Sequence, residues 1–283
     1  MKKIVLIAGL GHSGSTLLEL LLGSQNDKLF GIGEVYNLII DDKYLEKSEE
    51  ILCSCGQNMQ KCGFWGKFYE KLMNKNLSLS EKYDIVIENF NDYFGKDSVI
   101  IDSSKNISSL KFLSRKDDIE LKAIFLIRDV RAYSMSYWTK FSQKKYGIKN
   151  TITNYIRKNV VLNFYKWYLA NKYIIQYLTK NKIDFIKISY EELCFYPEVT
   201  LKEISRFLGT DINTPTLSMI SSKTHSVLGN RMRTNENKKS QIRYDTRWLY
   251  QSNWIVPYSL FANIRRFNSR QVFAKIMDYN NYK

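Results

Sequence analysis

Lys3-Ile4-Val5-Leu6-Ile7-Ala8-Gly9-Leu10-Gly11-His12-Ser13-Gly14-Ser15-Thr16-Leu17-Leu18-Glu19-Leu20-Leu21-Leu22 is the stretch that decides the fold. Residues 3–9 are a short apolar run closed by glycine, the pattern of a strand buried on both faces of a parallel sheet. From residue 14 the period changes. Leu17, Leu18, Leu21 and Leu22 form a helical stripe, and Gly23 reads as the helix stop. The glycine-rich turn between strand and helix, Gly9 to Thr16, is a cradle for an anion. It combines open backbone N–H groups, the positive end of a helix dipole and glycines that let the backbone come close. The spacing Gly9-x4-Gly14-x-Thr16 approaches the nucleoside-triphosphate loop, but Ser15 stands where that loop has lysine. The lysine reaches the β- and γ-phosphates, so its loss argues against ATP or GTP hydrolysis and leaves room for a different anion. The plain alternative is an ordinary tight turn.

Outward from this unit, residues 98–102, 121–127 and 184–188 read as three more buried strands. Helical patterns separate them at 65–75, 80–94, 106–115, 130–142, 151–180 and 198–208. Alternating strands and helices predict an α/β fold, a P-loop-type parallel sheet flanked by helices. Prolines occur at 197, 215 and 257 alone, so no proline-rich linker divides residues 1–283 and one domain is expected. The polar, basic stretch 223–247 reads as a loop that orders on a ligand. Residues 248–283 form an irregular C-terminal region with three short helices. The aromatic run 164–168 has core spacing, with a sugar-stacking platform as the alternative.

The chain has 283 residues, 44% hydrophobic and 25% charged. That balance excludes a disordered chain, a collagen and a disulfide-dense mini-protein. The net charge of +15 points to an anionic partner: nucleic acid, membrane surface, or a phosphate- or sulfate-bearing ligand. Lys, Asn, Ile and Tyr are abundant together, as AT-rich coding DNA would give, so charge alone does not decide. No apolar run approaches the roughly 18 residues of a membrane span. The opening residues flow into the glycine loop without a signal-peptide cleavage site, so a cytoplasmic protein is expected, with peripheral membrane contact left open.

A second anion site lies at 121–138. An apolar strand ends at Arg128, and a helix carrying Ser134 and Ser136 follows. An arginine at the carboxyl end of a parallel strand enters the crevice where α/β ligands bind, and its fork suits a phosphate. The alternative is a surface Arg128–Asp129 salt bridge with the serines capping the helix.

Together these pieces resemble the PAPS-dependent sulfotransferases, in particular their bacterial carbohydrate and small-molecule branch (PAPS is 3′-phosphoadenosine 5′-phosphosulfate). The resemblance runs from about residue 3 to 250 and implies PAPS as donor and its desulfated form, PAP, as product. It implies that Gly11, His12, Ser13, Gly14, Ser15 and Thr16 grip the 5′-phosphosulfate. Arg128 and Ser136, eight residues apart as in the family, would hold the 3′-phosphate. Ile188-Ser189-Tyr190-Glu191-Glu192-Leu193 is similar to a family segment whose tyrosine lies near the adenine. His225 to Arg233 is similar to a late basic loop, which would bring Asn230, Arg231 and Arg233 over the nucleotide. His12 departs from the family's Lys or Arg, so its charge support would depend on pH. If His12 only packs the loop, Lys105 must supply more of the positive charge.

The implied reaction is in-line transfer of a sulfuryl group to a hydroxyl acceptor, a carbohydrate or glycolipid first, a tyrosyl or other small-molecule hydroxyl second. Glu34, after Gly33, resembles the family's general base, with partial burial tuning it. Lys105 follows a strand end, and charge on the leaving group is its expected target; Asp102 would fix Lys105 or cap the next helix. Ser103 and Ser104 would meet donor or acceptor. The loops 31–75 and 139–160 are the expected acceptor side.

No metal is needed in this scheme. Cys53, Cys55 and Cys62 resemble a segment of one bacterial branch and lack a local fourth ligand. A zinc site completed by His225 or Cys194, a disulfide to Cys62, and a metal-free loop anchored by Phe64 and Trp65 are the three readings. The metal-free loop is the one carried into the expected site. Two other functions compete: a small-molecule kinase, and a non-catalytic basic protein binding nucleic acid or membrane. No nucleic-acid-reading motif is present, so no nucleic-acid partner is expected.

Overall fold

The computed structural model describes residues 2–142, 158–212, 217–220 and 222–281. Five strands pair in parallel: β1 (Lys2–Gly9), β2 (Leu29–Gly31), β3 (Val99–Lys105), β4 (Ile119–Ile127) and β5 (Asp184–Ser189). Their order is β2-β3-β1-β4-β5. The chain leaves β1 toward one edge and returns past it from β3 to β4. The crevice at the carboxyl ends beside β1 is therefore the place where such sheets bind ligands.

Side-chain alternation explains why the strands are apolar throughout. Ile4, Leu6, Ala8, Ala123, Phe125 and Ile127 enter one core, whereas Val5, Ile7, Ile124 and Leu126 enter the other. Helix α1 (Ser15–Gln25) covers the second face with Leu17 through Leu22, every leucine of it buried. Each such side chain contributes roughly 1.5–3 kcal/mol on burial, which more than offsets the weak amphipathicity of the segment. Helices α2 (Val35–Ile40), α3 (Asp42–Glu46), α4 (Tyr69–Leu72), α5 (Leu79–Phe94), α6 (Ile107–Leu113), α7 (Val130–Ser142) and α8 (Val160–Lys180) follow. Helix α5 opens on a Ser78/Glu81 capping box and buries Tyr83, Val86, Ile87 and Phe90. After β5 come α9 (Tyr190–Phe195) and α10 (Pro197–Leu208), the latter bounded by Pro197 and a left-handed Gly209.

The four expected strands are present, with ends moved by three residues at most. The edge strand β2 is too short to carry a periodic signal. Helices α2 and α3 were also not expected; both are a turn or two long. The expected helix at 65–75 is a 3₁₀ turn at Trp65–Lys67 and the four-residue α4. Gly23 does not stop α1. It lies inside the helix, where a Cβ would come within 2.8 Å of Thr224 Cγ2, so close packing and not capping selects glycine. Of the expected helix 151–180, residues 160–180 are helical and 151–157 lie outside the described residues. Most of the expected acceptor segment 139–160 lies outside them too. In the run 164–168, Phe164 and Trp167 are fully buried core. The C-terminal region holds three short helices, as expected. Its Asn268 accepts from Val130 N–H at 2.9 Å and donates to Asp129, fixing the start of α7.

Candidate functional site

The glycine loop, Glu34, Lys105, Arg128 and Tyr190 stand at the carboxyl ends of β1, β2, β3, β4 and β5 in turn. β1 ends in the glycine loop, and each of its turns has a steric reason. Gly9 touches β4: a Cβ there would fall 2.3 Å from the Leu126 carbonyl oxygen. Gly14 has φ 94 and lies against the ring of Tyr190, 2.5 Å from where a Cβ would stand. Ser13, Ser15 and Thr16 are buried at the helix start, while a Cβ on Gly11 would stand 3.8 Å from Tyr137 OH, an ordinary contact.

The two segments that the sequence singles out for anions meet in space. Arg128 leaves β4 and donates from Nη1 to the His12 carbonyl at 3.0 Å. Ser136 Oγ, on the second turn of α7, lies 2.8 Å from His12 Nδ1. Tyr190 brings the end of β5 into the group, its ring 4.5 Å from the Arg128 guanidinium. Arg128 is not in a surface pair with Asp129, which binds Arg131 instead at 2.6 Å. Arg128 is buried, and its Nη2 donates to Asp245 at 3.0 Å. Burial alone would raise the Asp245 carboxyl; the bonds from Arg247 and the charge and bond of Arg128 hold it well below the usual range. Arg128 Nε and Ser134 Oγ, both buried, have no hydrogen-bond partner among the described residues. Buried donors left unpaired mark a place where a polar ligand fits.

On the other side of β1, Glu34 and Lys105 form an ion pair between Lys105 Nζ and Glu34 Oε1, each side chain about one-seventh exposed. Asn37 Nδ2 donates to the second carboxylate oxygen at 2.7 Å. Lys105 has φ 68, and β1 and β3 lose register between Leu6 and Ala8, where the strand end is re-aimed. Asp102 does neither of the jobs expected of it. It accepts from Tyr83 OH and from Ser104 N–H at 2.8 Å, while Asn106 caps α6. Burial is the main cause pushing its carboxyl up to about 6. Ser103 and Ser104 likewise turn inward, to Glu19 and Asp102.

Glu19 is the residue that sequence reasoning missed. It stands in the leucine-rich face of α1, fully buried. It accepts from Gly33 N–H at 2.8 Å, Ser103 Oγ at 2.7 Å and Ser226 Oγ. Burial raises its pKa, opposed by those bonds. One charged residue inside an apolar stripe was the available signal. Glu19 ties the glycine-loop helix to the turn before Glu34 and to the stretch beginning at 225.

That late stretch crosses the crevice. Asn230 N–H donates to Thr16 Oγ1 at 3.2 Å, and its side chain caps a 3₁₀ turn at Arg231–Thr234. Arg231 is exposed. Arg233 instead clamps the loop, donating to the carbonyls of Ser226 at 3.1 Å and of Val227 and Leu52 at 2.9 Å. The same stretch brings His225 to Cys53, Cys55 and Cys62. Cys194 is elsewhere, packed against the other core.

A glycine loop without the triphosphate lysine is joined here to a strand-end arginine at the crevice of a parallel α/β sheet. The chain belongs to the sulfotransferase domain family, whose profile matches residues 2–253, and it is a sulfotransferase. Among solved structures it resembles a sulfotransferase domain from the curacin biosynthetic pathway, at 18% identity and a TM-score of 0.55 over 92% of this chain and 97% of that one. It is also similar to a sulfotransferase from Alicyclobacillus acidocaldarius, at 12% identity and a TM-score of 0.45, covering 76% and 85%. A search of curated proteins returns no match. Among the described residues no helix is long and apolar enough to cross a membrane.

Proposed function

We propose that the protein transfers a sulfuryl group from PAPS to a hydroxyl of a carbohydrate or glycolipid. The observation that carries this reading is the junction at His12, where the glycine loop meets both Arg128 and Ser136. A donor with a 5′-phosphosulfate and a 3′-phosphate needs two adjoining anion sites, and a nucleoside triphosphate does not. The unpaired Arg128 Nε fits the second of them. PAPS supplies an activated sulfuryl group on a phosphate leaving group.

The chain's own residues do the rest. Backbone N–H groups from Gly11 to Thr16, with the dipole of α1, hold the 5′ end. Arg128 and Ser136 hold the 3′-phosphate, which displaces or joins the Asp245 carboxylate. Tyr190 flanks the adenine. Asn230, Arg231 and the rest of 223–247 cover the nucleotide, with Arg233 fixing the loop's shape. Lys105 turns from Glu34 toward the leaving oxygen and stabilises its developing charge. Glu34 Oε1, freed by that move, takes the acceptor's proton as the new bond to sulfur forms. His12 adds a hydrogen bond from the glycine loop. The surface built from 31–75 and 139–160 takes the acceptor.

Calorimetric titration with PAP, with ADP as control, tests this reading. Tight PAP binding and weak ADP binding are expected. Arg128→Ala should weaken PAP roughly 10- to 100-fold, the loss of one or two charge-assisted bonds, and leave the 3′-dephospho nucleotide unchanged. Preference for ADP, or equal losses for both nucleotides, would overturn the assignment.

A further inference from the structure

Cys53, Cys55, Cys62 and His225 converge single ligand atoms on one point, all within 4.8 Å of one another. The sulfurs of Cys55 and Cys62 are 3.8 Å apart, and those of Cys62 and Cys53 are 3.6 Å apart. His225 Nδ1 lies 3.1 Å from the Cys62 sulfur and 3.8 Å from that of Cys53. A tetrahedral zinc with Zn–S about 2.3 Å and Zn–N about 2.05 Å has ligand–ligand edges of about 3.8 Å between sulfurs and about 3.5 Å from sulfur to nitrogen. The observed spacings match or straddle both edges. They are far from the roughly 2.05 Å of a disulfide, and all four cysteines of the chain are free thiols.

The surroundings are those of a metal knuckle. Leu52 and Asn58 form an antiparallel bridge that closes a small hairpin, and Gly56 turns it with φ 91. Within it Gly56 N–H donates to the Cys53 carbonyl at 3.0 Å, and Cys53 N–H to the Gln57 carbonyl at 2.8 Å. Cys53 and Cys62 are buried and Cys55 is exposed, which leaves a route in for an ion. Phe64, Tyr93 and Phe94 pack against the imidazole with ring centroids 5.5–5.8 Å away, fixing its plane.

We propose that these four residues form a structural zinc site of the Cys3His type, which replaces the metal-free reading of the cysteine loop. Three thiolates and one imidazole in a tetrahedron select zinc, and four protein ligands leave no open position for chemistry. The site joins two parts of the chain: the Cys62–His225 contact spans 163 residues. Around it Ser54 Oγ donates to the Thr224 carbonyl at 2.7 Å and accepts from Ser226 N–H at 2.9 Å. Ser226 is the next residue after the His225 ligand, and its hydroxyl bonds the buried Glu19. The zinc therefore fixes the start of the stretch that crosses the crevice, one residue from its anchor on α1.

The test uses the full chain, purified without a histidine tag under reducing conditions after growth with zinc. Elemental analysis should find about one zinc per chain, the content of one closed site. The chelated protein titrated with cobalt(II) should show the visible bands of tetrahedral cobalt thiolate. Cys62→Ser and His225→Ala should lose the metal and those bands, and Cys194→Ser should keep both. Zinc content and the cobalt spectrum of the unaltered protein do not depend on the variants folding. Four results would overturn the proposal: no stoichiometric metal together with no cobalt bands, iron in place of zinc, loss of metal in Cys194→Ser, or a Cys53–Cys62 or Cys55–Cys62 disulfide in the non-reduced protein by mass spectrometry. None of these readouts uses sulfotransferase activity, so the outcome is independent of the donor and acceptor assignments.

Discussion

The floor and the roof of the crevice are built in different ways. The floor is the set of strand ends carrying the glycine loop, Glu34, Lys105 and Arg128. It is held by backbone pairing and by two buried carboxylates, Glu19 and Asp102, whose oxygens are taken up by neighbouring N–H and O–H groups. The roof, 223–247, has little regular structure. It is held by side chains reaching across to or from it: Arg233 to the Leu52 carbonyl, Ser54 to the Thr224 carbonyl, Arg128 to the Asp245 carboxylate. A floor of this kind keeps its backbone in place while side chains such as Lys105 move. A roof of this kind opens by breaking a few exchangeable bonds, which suits the nucleotide-covering role proposed for it.

The largest expected effect is on the floor. Glu34→Gln should keep nucleotide affinity and cut turnover by about 10²–10⁴-fold, the range for loss of a general base. Steady-state kinetics beside PAP titration would check it, and full activity would break the division of labour between Glu34 and Lys105.

The next concerns the floor's support. Burial raises the Asp102 carboxyl from 3.8 to about 6, so the folded state binds that proton more tightly than the unfolded chain. Its contribution is complete below about pH 4 and declines as pH rises to about 6, by about 3 kcal/mol in all. Urea unfolding of the protein and of Asp102→Asn across that window should differ in slope, with the asparagine variant flatter. Parallel curves would mean that Asp102 is ionised in the fold.

The smallest expected effect sharpens the contrast. Arg233→Ala should raise the donor KM about three- to tenfold, as for loss of one hydrogen-bonded clamp, with kcat nearly unchanged. Hydrogen exchange over 223–234 should quicken in step. A loss of nucleotide affinity with no change in exchange would instead make Arg233 a direct ligand, the role its place in the basic run implies.

Legibility followed the range of the interaction. The strand–loop–helix unit at 3–22 and the eight-residue spacing from Arg128 to Ser136 are local patterns, and both stand where the sequence put them. Short elements such as β2 and α2 exist because β3 and α5 cover them, which no local period announces. Local sequence casts Ser103 as a ligand contact and Asp102 as a support for Lys105 or a helix cap; their orientation is set by Glu19 and Tyr83, from other elements.

By itself the sequence determined the parallel α/β sheet, the lysine-free glycine loop and the two anion motifs. Periodicity, glycine placement and strand-end chemistry are properties of neighbouring residues. The tertiary structure alone decided that the two anion motifs meet at His12, that Glu34 pairs with Lys105, and that His225 and not Cys194 completes the cysteine cluster. Each of these joins residues far apart in the chain, and only sheet order and core packing choose which distant residues become neighbours.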